Sequence, residues 1–411
     1  MNRKSHALHN RIDIEPYWYP IVLLLLALMA LFLYHLYTGV TPDRVAIPIP
    51  FLGTGIYWYG ILIVGGIFLG SYVVSRLALA RALNVFNAHV PLGLQQRPLS
   101  DLDLPDEIQQ KLTRQKITSL GALLLQWGFD PRNLGLDEAT LREVHEHLQS
   151  VPGVAEAWLV DAPWRPWNPD HVWNGILWVL ILAIIGARLY HVLTPSPSMA
   201  AVGIRSPLDY FRNPYQLINL RSGGLGIYGG LAGGALGLLL YTRRQRIPLL
   251  GWADLAVVGV ALGQVFGRWG NFFNQELYGR PTDLPWAISI DPVYRLPAYA
   301  DFSRFHPAFL YESLWNLLTF IVLLTLLRRY SHKLLTGDST ALYLIFYAIG
   351  RILLETVRLD SRTVMLGGLD LNIAVATLVS LVVALFAAGW LVGRRLLRSR
   401  REATTGESPS Y

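Results

Sequence analysis

Residues 371–393, Leu371-Asn-Ile-Ala-Val-Ala-Thr-Leu-Val-Ser-Leu-Val-Val-Ala-Leu-Phe-Ala-Ala-Gly-Trp-Leu-Val-Gly393, run without a basic residue and then meet Arg394, Arg395, Arg398, Arg400 and Arg401. As a helix, about 20 mostly apolar residues cover the roughly 30 Å hydrocarbon layer of a bilayer. A basic cluster beside such a run marks the cytoplasmic end of a transmembrane helix. The pattern recurs upstream, at about 19–38, 55–82, 172–193, 223–241, 252–270, 307–327 and 340–358. With 371–393 these are eight candidate spans, each bounded to within a few residues. The expected fold is an all-α polytopic membrane protein.

Orientation follows from the same charge bias. If Arg3, Lys4 and Arg11 lie in the cytoplasm, eight crossings return the C-terminus to that side. The loops holding Arg243, Arg244 and Arg246 and holding Arg328, Arg329 and Lys333 then fall inside as well. The first span has too long an apolar core for a cleaved signal peptide, and no small-x-small site follows it before Thr38-Gly39. It is expected to be an uncleaved anchor.

Composition supports this class. Of 411 residues, 53% are hydrophobic and 15% charged, whereas soluble domains carry about a quarter charged residues. The formal charge of +7 sits at the ends of apolar runs, so it argues for membrane orientation and against a nucleic-acid partner. The absence of cysteine excludes a disulfide, a thiolate nucleophile and a Cys-ligated metal. Any thiol in the chemistry must belong to a substrate.

Residues 84–170 differ, with 12 acids to 7 bases. Leu102–Lys116 and Asp137–Leu148 read as short helices and Gly153–Val160 as a strand. The segment is expected to be a small α or α+β cytoplasmic domain, closed by Pro163-Trp-Arg-Pro-Trp-Asn-Pro169. Its cytoplasmic placement rests on the parity of the spans. The tail Glu402–Tyr411 is polar and is expected to be disordered.

Candidate chemistry concentrates in the later spans. The fourth opens Arg221-Ser-Gly-Gly-Leu-Gly-Ile-Tyr-Gly-Gly-Leu-Ala-Gly-Gly234, with one small-residue ridge at 226, 230 and 234 and another at 229, 233 and 237. Two readings are open: GxxxG-type helix packing, or room for a lipid headgroup beside Tyr228. The fifth span ends Gly267-Arg-Trp-Gly-Asn-Phe-Phe-Asn-Gln-Glu-Leu-Tyr-Gly-Arg280. Arg268 there could snorkel to water, but Asn271, Asn274 and Glu276 close by suit a phosphate site, since a guanidinium can hold two phosphate oxygens at once. Asp254 lies on nearly the same helical face and reads as a cap or brace for the span's inner end.

In the seventh span Tyr347, Arg351, Glu355 and Arg358 are spaced four, four and three apart and stack along one helical face. Arg351 is too deep to snorkel easily, and its insertion costs about 2.5–3.5 kcal/mol on translocon scales, so it needs a buried partner or ligand. Glu355 is the obvious partner; a polar cavity accounts for all four residues. His306-Pro-Ala-Phe-Leu-Tyr-Glu312 opens the sixth span. His306 could be an interfacial hydrogen-bonding group or a ligand, and Glu312 suits the positive end of the helix. Tyr57-Trp-Tyr-Gly60 opens the second span and fits an aromatic belt.

Together these segments resemble the prolipoprotein diacylglyceryl transferase family from about Tyr57 to Arg395, interrupted by the insert. The most specific part is Gly267–Gly279, which is similar to the family signature G-R-x-G-N-F-x-N-x-E-x-x-G. The resemblance implies a seven-span core, with the first span and the 84–170 insert as additions. It implies transfer of the diacylglyceryl group of phosphatidylglycerol to the lipobox cysteine of a prolipoprotein, with release of glycerol phosphate. The partners would be phosphatidylglycerol, other membrane lipids and lipobox signal peptides in the bacterial cytoplasmic membrane. By the same resemblance Arg268 and Arg351 serve the phosphate, and Asn271, Glu276, Gly279, Asp254, Tyr347 and Tyr59 fall on positions functional or invariant in the family. The family's frequent histidine before the Gly-Gly pair is here Tyr228, which leaves that tyrosine to position or deprotonate the thiol. No metal, nucleotide or other cofactor is indicated. The rival reading is a lipid or small-molecule transporter or flippase, but no internal repeat between the two halves supports it.

Overall fold

Each of the eight apolar runs is a helix in the computed structural model, which describes residues 15–52, 54–195, 199–200, 203–219, 224–359, 363–366 and 369–405. Arg3, Lys4, Arg11, Arg221 and the tail from 406 lie outside the described residues. The helices are α1 (Trp18–Thr38), α2 (Trp58–His89), α3 (Asp170–Leu193), α4 (Ile227–Gln245), α5 (Leu249–Gly267), α6 (Ala308–Arg329), α7 (Asp338–Glu355) and α8 (Val375–Thr405). Six of them are long and apolar enough to cross a membrane; α5 qualifies together with the short helix Trp269–Asn274 that continues it. The other two, α4 and α7, have 19 and 18 residues, and glycines in α4 and ionic side chains in α7 lower their apolarity. Large apolar side chains such as Leu23, Leu26, Phe68 and Phe386 are exposed on these helices, the surface a bilayer would cover. The chain is a multi-pass, mostly helical membrane protein.

Among the described residues, sheet is confined to three two-stranded antiparallel pairs near helix ends. β1 (Val45–Ile49) pairs with β2 (Thr54–Tyr57), β3 (Ile288–Ser289) with β4 (Arg304–Phe305), and β5 (Thr363–Leu366) with β6 (Leu369–Ala374). Two span boundaries move accordingly. The second span begins at Trp58 rather than 55, and the eighth at Val375 rather than 371, because the residues before each helix hydrogen-bond across a hairpin.

The described residues divide into two units, Met1–Val73 with Asp254–Tyr411, and Val74–Ala253. In the first, α2 and α5 meet through glycines: a Cβ on Gly70 would lie 2.5 Å from the Gly259 carbonyl oxygen. Asp254 is buried and caps α7, its carboxylate accepting hydrogen bonds from the backbone of Gly337 and Thr340 and from the Thr340 hydroxyl. Asp338, at the start of α7, is fully buried and pairs with Arg395 of α8 at 2.9 Å.

In the second unit α3 and α4 pack backbone to backbone. A Cβ on Gly229, Gly233 or Gly237 would fall 2.1, 2.0 or 2.7 Å from the carbonyl oxygens of Gly186, Leu182 and Trp178. That ridge is a packing seam; Gly230 and Gly234 have ordinary clearance. The insert folds around Leu112, Leu120, Leu123, Leu124, Leu134, Val144 and Leu148. Its helices Leu120–Phe129 and Glu138–Ser150 are capped by Ser119 and Asp137. The first predicted helix is shorter than expected, Asp106–Arg114, because Pro105 starts it. The strand expected at 153–160 is instead a helical turn, Glu156–Val160, which buries Trp158 and Leu159 on one side. Its two buried residues are adjacent and supply no alternation for a sheet. The closing linker is anchored by aromatics: Trp167 stacks on Trp252, the Arg81 guanidinium lies 3.9 Å over the Trp167 ring, and the Trp252 indole donates to the Pro166 carbonyl.

Candidate active site

Arg268 sits where α5 gives way to Trp269–Asn274. Its Nε lies 2.5 Å from Glu312 Oε2, and the other oxygen of Glu312 is 3.3 Å from Arg358 Nη1. Glu312, only 7% exposed, thus joins α6 both to the end of α5 and to the residues after α7. One turn back on α7, Arg351 pairs with Glu355 at 2.5 Å. Arg268, Glu312, Tyr347, Arg351 and Arg358 line one cavity together with Gln264 and Asn316. The two arginines expected to share an anion therefore open onto the same space.

The charge of this cluster favours an anion. Three arginines (268, 351, 358) face two carboxylates (312, 355), so 3 − 2 leaves one positive charge. A guanidinium carries five N–H donors, so one carboxylate contact each leaves Arg268 and Arg351 with donors for a ligand. Neighbours hold the walls in place. The Trp315 indole donates to the Phe346 carbonyl, and the Tyr343 hydroxyl donates to Gln264. Gly350 admits Trp315, since a Cβ there would lie 2.3 Å from the indole.

The other predicted residues take different places. Asn271 and Glu276 do not hold Arg268; Asn271 and Asn274 both donate to Glu276 Oε1 at 3.1 Å. Glu312 braces Arg268 instead, because it projects from the facing helix at the depth of Arg268. Asp254 caps the start of α7 rather than the inner end of its own span, its carboxylate accepting from the Gly337 and Thr340 amides, and it does not line the ionic cavity. Tyr59 packs on Gly270, where a Cβ would fall 1.8 Å from the ring. Gly270→Ala is therefore expected to displace Tyr59 and destabilise the protein by about 1–3 kcal/mol, the usual cost of overpacking. Thermal unfolding in detergent checks this, and Gly270→Ala combined with Tyr59→Ala should recover much of the loss.

Gly279 and His306 form a junction. The Gly279 amide donates to the His306 carbonyl at 2.9 Å, and a Cβ on Gly279 would meet both His306 Cβ and the Val357 carbonyl at 2.8 Å. The His306 ring is 3.1 Å from the Tyr311 hydroxyl, and burial lowers its pKa, so it is neutral at pH 7. Neither residue lines the ionic cavity. Tyr228 belongs to the second unit, half exposed, its ring 5.8 Å from Tyr190. Sequence reasoning missed Arg188, a buried cation on α3 that donates to the carbonyls of Leu217, Asn219 and Gly224. Its depth in an apolar run was the available signal. Among the described residues no group of three or more His, Asp or Glu side chains is arranged to hold a metal ion.

A multi-pass helical protein with a net-positive arginine cluster opening onto a cavity has the features of a membrane protein that holds an anionic group. The family model described as prolipoprotein diacylglyceryl transferase matches residues 153–393, and the chain belongs to that family. It is 42% identical over 243 residues to the phosphatidylglycerol–prolipoprotein diacylglyceryl transferase of Chloroflexus aggregans, covering 56% of this chain and 76% of that protein. The protein of the same name from Synechococcus elongatus is 40% identical over 255 residues, covering 60% and 82%. That of Thermotoga maritima is 39% identical over 229 residues, covering 55% and 70%.

Proposed function

We propose that this chain is a phosphatidylglycerol–prolipoprotein diacylglyceryl transferase. Phosphatidylglycerol is the donor, the acceptor is the lipobox cysteine thiol of a prolipoprotein, and glycerol phosphate is released. The observation that carries this reading is the shared cavity of Arg268 and Arg351, in a chain whose relatives bear that enzyme's name. The acceptor thiol must come from the substrate, since the chain has no cysteine. Location in the bacterial cytoplasmic membrane would follow from the family, and the basic residues at the span ends favour both termini inside. Residues 84–170 would be an accessory cytoplasmic domain, and 171–395 with the second span would carry the reaction.

In the proposed step the cysteine thiolate attacks C3 of the glyceryl group. The S–C3 bond forms, the C3–O bond to phosphate breaks, and glycerol phosphate leaves with the electron pair. Arg268 and Arg351 would hold the phosphate and offset the charge that grows on it, usually the larger part of such catalysis. Tyr347, on the cavity wall, would orient the headgroup, with Glu312 and Glu355 fixing the guanidinium groups. A cysteine thiol of pKa about 8.5 is a few per cent ionised at pH 7, so a base adds modestly. Tyr228 would position the thiol rather than carry the rate. Tyr228→Phe is therefore expected to lower kcat by less than about tenfold; a loss of 10²-fold or more, the range of general-base catalysis, would make the hydroxyl the base.

The reading is tested in detergent with phosphatidylglycerol and a lipobox peptide. A mass gain of one diacylglyceryl group on the peptide is expected. Lipid movement between leaflets without covalent transfer would favour a flippase instead.

A further inference from the structure

A second, larger cavity of about 510 Å³ lies within the first unit, beside the ionic one along the chain. Leu359 lines it, directly after Arg358 of the ionic cavity, and so does Glu276, to which Asn271 donates one turn after Arg268. Its volume falls in the roughly 300–1,000 Å³ range of ligand pockets. Resting on the function proposed above, we propose that it receives the stretch of prolipoprotein that follows the acceptor cysteine.

The pocket is built and held. Tyr278 and Tyr294 form one wall, where the Tyr278 hydroxyl accepts from the Leu296 amide at 2.7 Å and donates to the Tyr294 carbonyl at 3.1 Å. Gln275 and Asp291 lock the loop with two reciprocal bonds, Gln275 Nε2 to the Asp291 carboxylate and the Asp291 amide to Gln275 Oε1. The strand before Asp291 is tied in turn to α1, where the buried His35 accepts from the Ser289 amide at 3.1 Å. Into this frame projects Leu277, whose backbone is left-handed at φ 53°, as Gln275 is at 51°. Leucine is disfavoured there, yet its side chain is 42% exposed and so satisfies no core. A strained, exposed apolar residue on a pocket wall is a common mark of a binding surface.

The chemistry of the walls selects the occupant. Leucines and tyrosines accept apolar side chains, and the Tyr57 and Tyr294 hydroxyls serve peptide N–H and C=O groups. Arg44 and Glu276, both exposed at this pocket, present one charge of each sign. A second phosphate headgroup would be repelled by Glu276, and an acyl chain would leave both charges against hydrocarbon. An extended polypeptide suits both. The pocket walls come from the β1–β2 hairpin and the loops after Asn274, outside the long helices. A chain whose cysteine reacts between the helices must leave through such a region.

The test uses the full-length protein and two lipobox peptides, one ending immediately after the cysteine and one continuing for about six residues. Wild type is expected to favour the longer peptide by about tenfold in kcat/KM. Leu277→Gly keeps the left-handed backbone while deleting the side chain, and Leu296→Ala deletes a second wall; both are expected to abolish that preference. A peptide of the post-cysteine residues alone should inhibit competitively against the acceptor. Equal use of both peptides by wild type, or a preference retained in both variants, overturns the proposal. Inhibition competitive with phosphatidylglycerol overturns it too, in favour of a lipid site. Failure of wild type to modify either peptide would instead sink the transferase reading itself.

Discussion

Arg268→Ala is expected to reduce diacylglyceryl transfer by about 10²–10³-fold, the usual cost of removing one preorganised donor from a developing anion. The protein should still insert and fold. Removing Arg268 does not strand its partner, because Glu312 keeps Arg358 at 3.3 Å. Arg351→Ala is a different case. Its partner Glu355 has no second ion-pair partner among the described residues, and an uncompensated buried charge costs about 3–5 kcal/mol. Arg351→Ala should therefore lose both activity and thermal stability. Arg351→Ala combined with Glu355→Ala should regain stability without regaining transfer. Activity measured by peptide mass gain, beside unfolding temperature in the same detergent, separates the two effects. Full activity in either single variant would remove the phosphate role assigned to these arginines.

Glu312→Ala is expected to be more disruptive than Arg268→Ala and comparable to Arg351→Ala, because Glu312 joins two guanidinium groups. Its loss leaves Arg268 and Arg358 repelling each other across the cavity, and the expected destabilisation is about 3–5 kcal/mol. Glu312→Gln keeps shape and hydrogen-bonding capacity but removes the charge. It should fold better than Glu312→Ala, while anion affinity rises and transfer falls, because the arginines settle on the ground-state phosphate. Binding of phosphatidylglycerol by Glu312→Gln, measured beside its kcat, checks this split. A variant with unaltered affinity and turnover would show that Glu312 is a helix-end charge only.

That residue also shows where sequence reasoning stops. Periodicity places Tyr347, Arg351, Glu355 and Arg358 on one face of α7, and burial arithmetic demands a partner for Arg351; the pair with Glu355 follows. Periodicity is silent on which helix faces which. Glu312 had a sufficient local reason in the dipole of α6, so its contacts with Arg268 and Arg358 could not be read from its own segment. Asn271 and Glu276 lie close to Arg268 in sequence, but their side chains bind one another. The glycines of α4 offered two ridges, and only the neighbouring backbone of Gly186 and Leu182 decides that 229, 233 and 237 form the seam. The spans themselves were legible because hydrocarbon imposes a length. The hairpins before α2 and α8 were not, since apolar residues there satisfy a strand as well as a helix.

The central claim is that guanidinium groups from two helices hold one anionic headgroup, and a double-mutant cycle on lipid binding tests it most directly. Affinity for phosphatidylglycerol would be measured for wild type, Arg268→Lys, Arg351→Lys and the double variant, with phosphatidylcholine as the neutral-headgroup control. Two groups on one phosphate should couple, so the double variant should lose less than the sum of the single losses, by about 0.5–3 kcal/mol. Strictly additive losses, or equal losses for phosphatidylcholine, would contradict a shared headgroup.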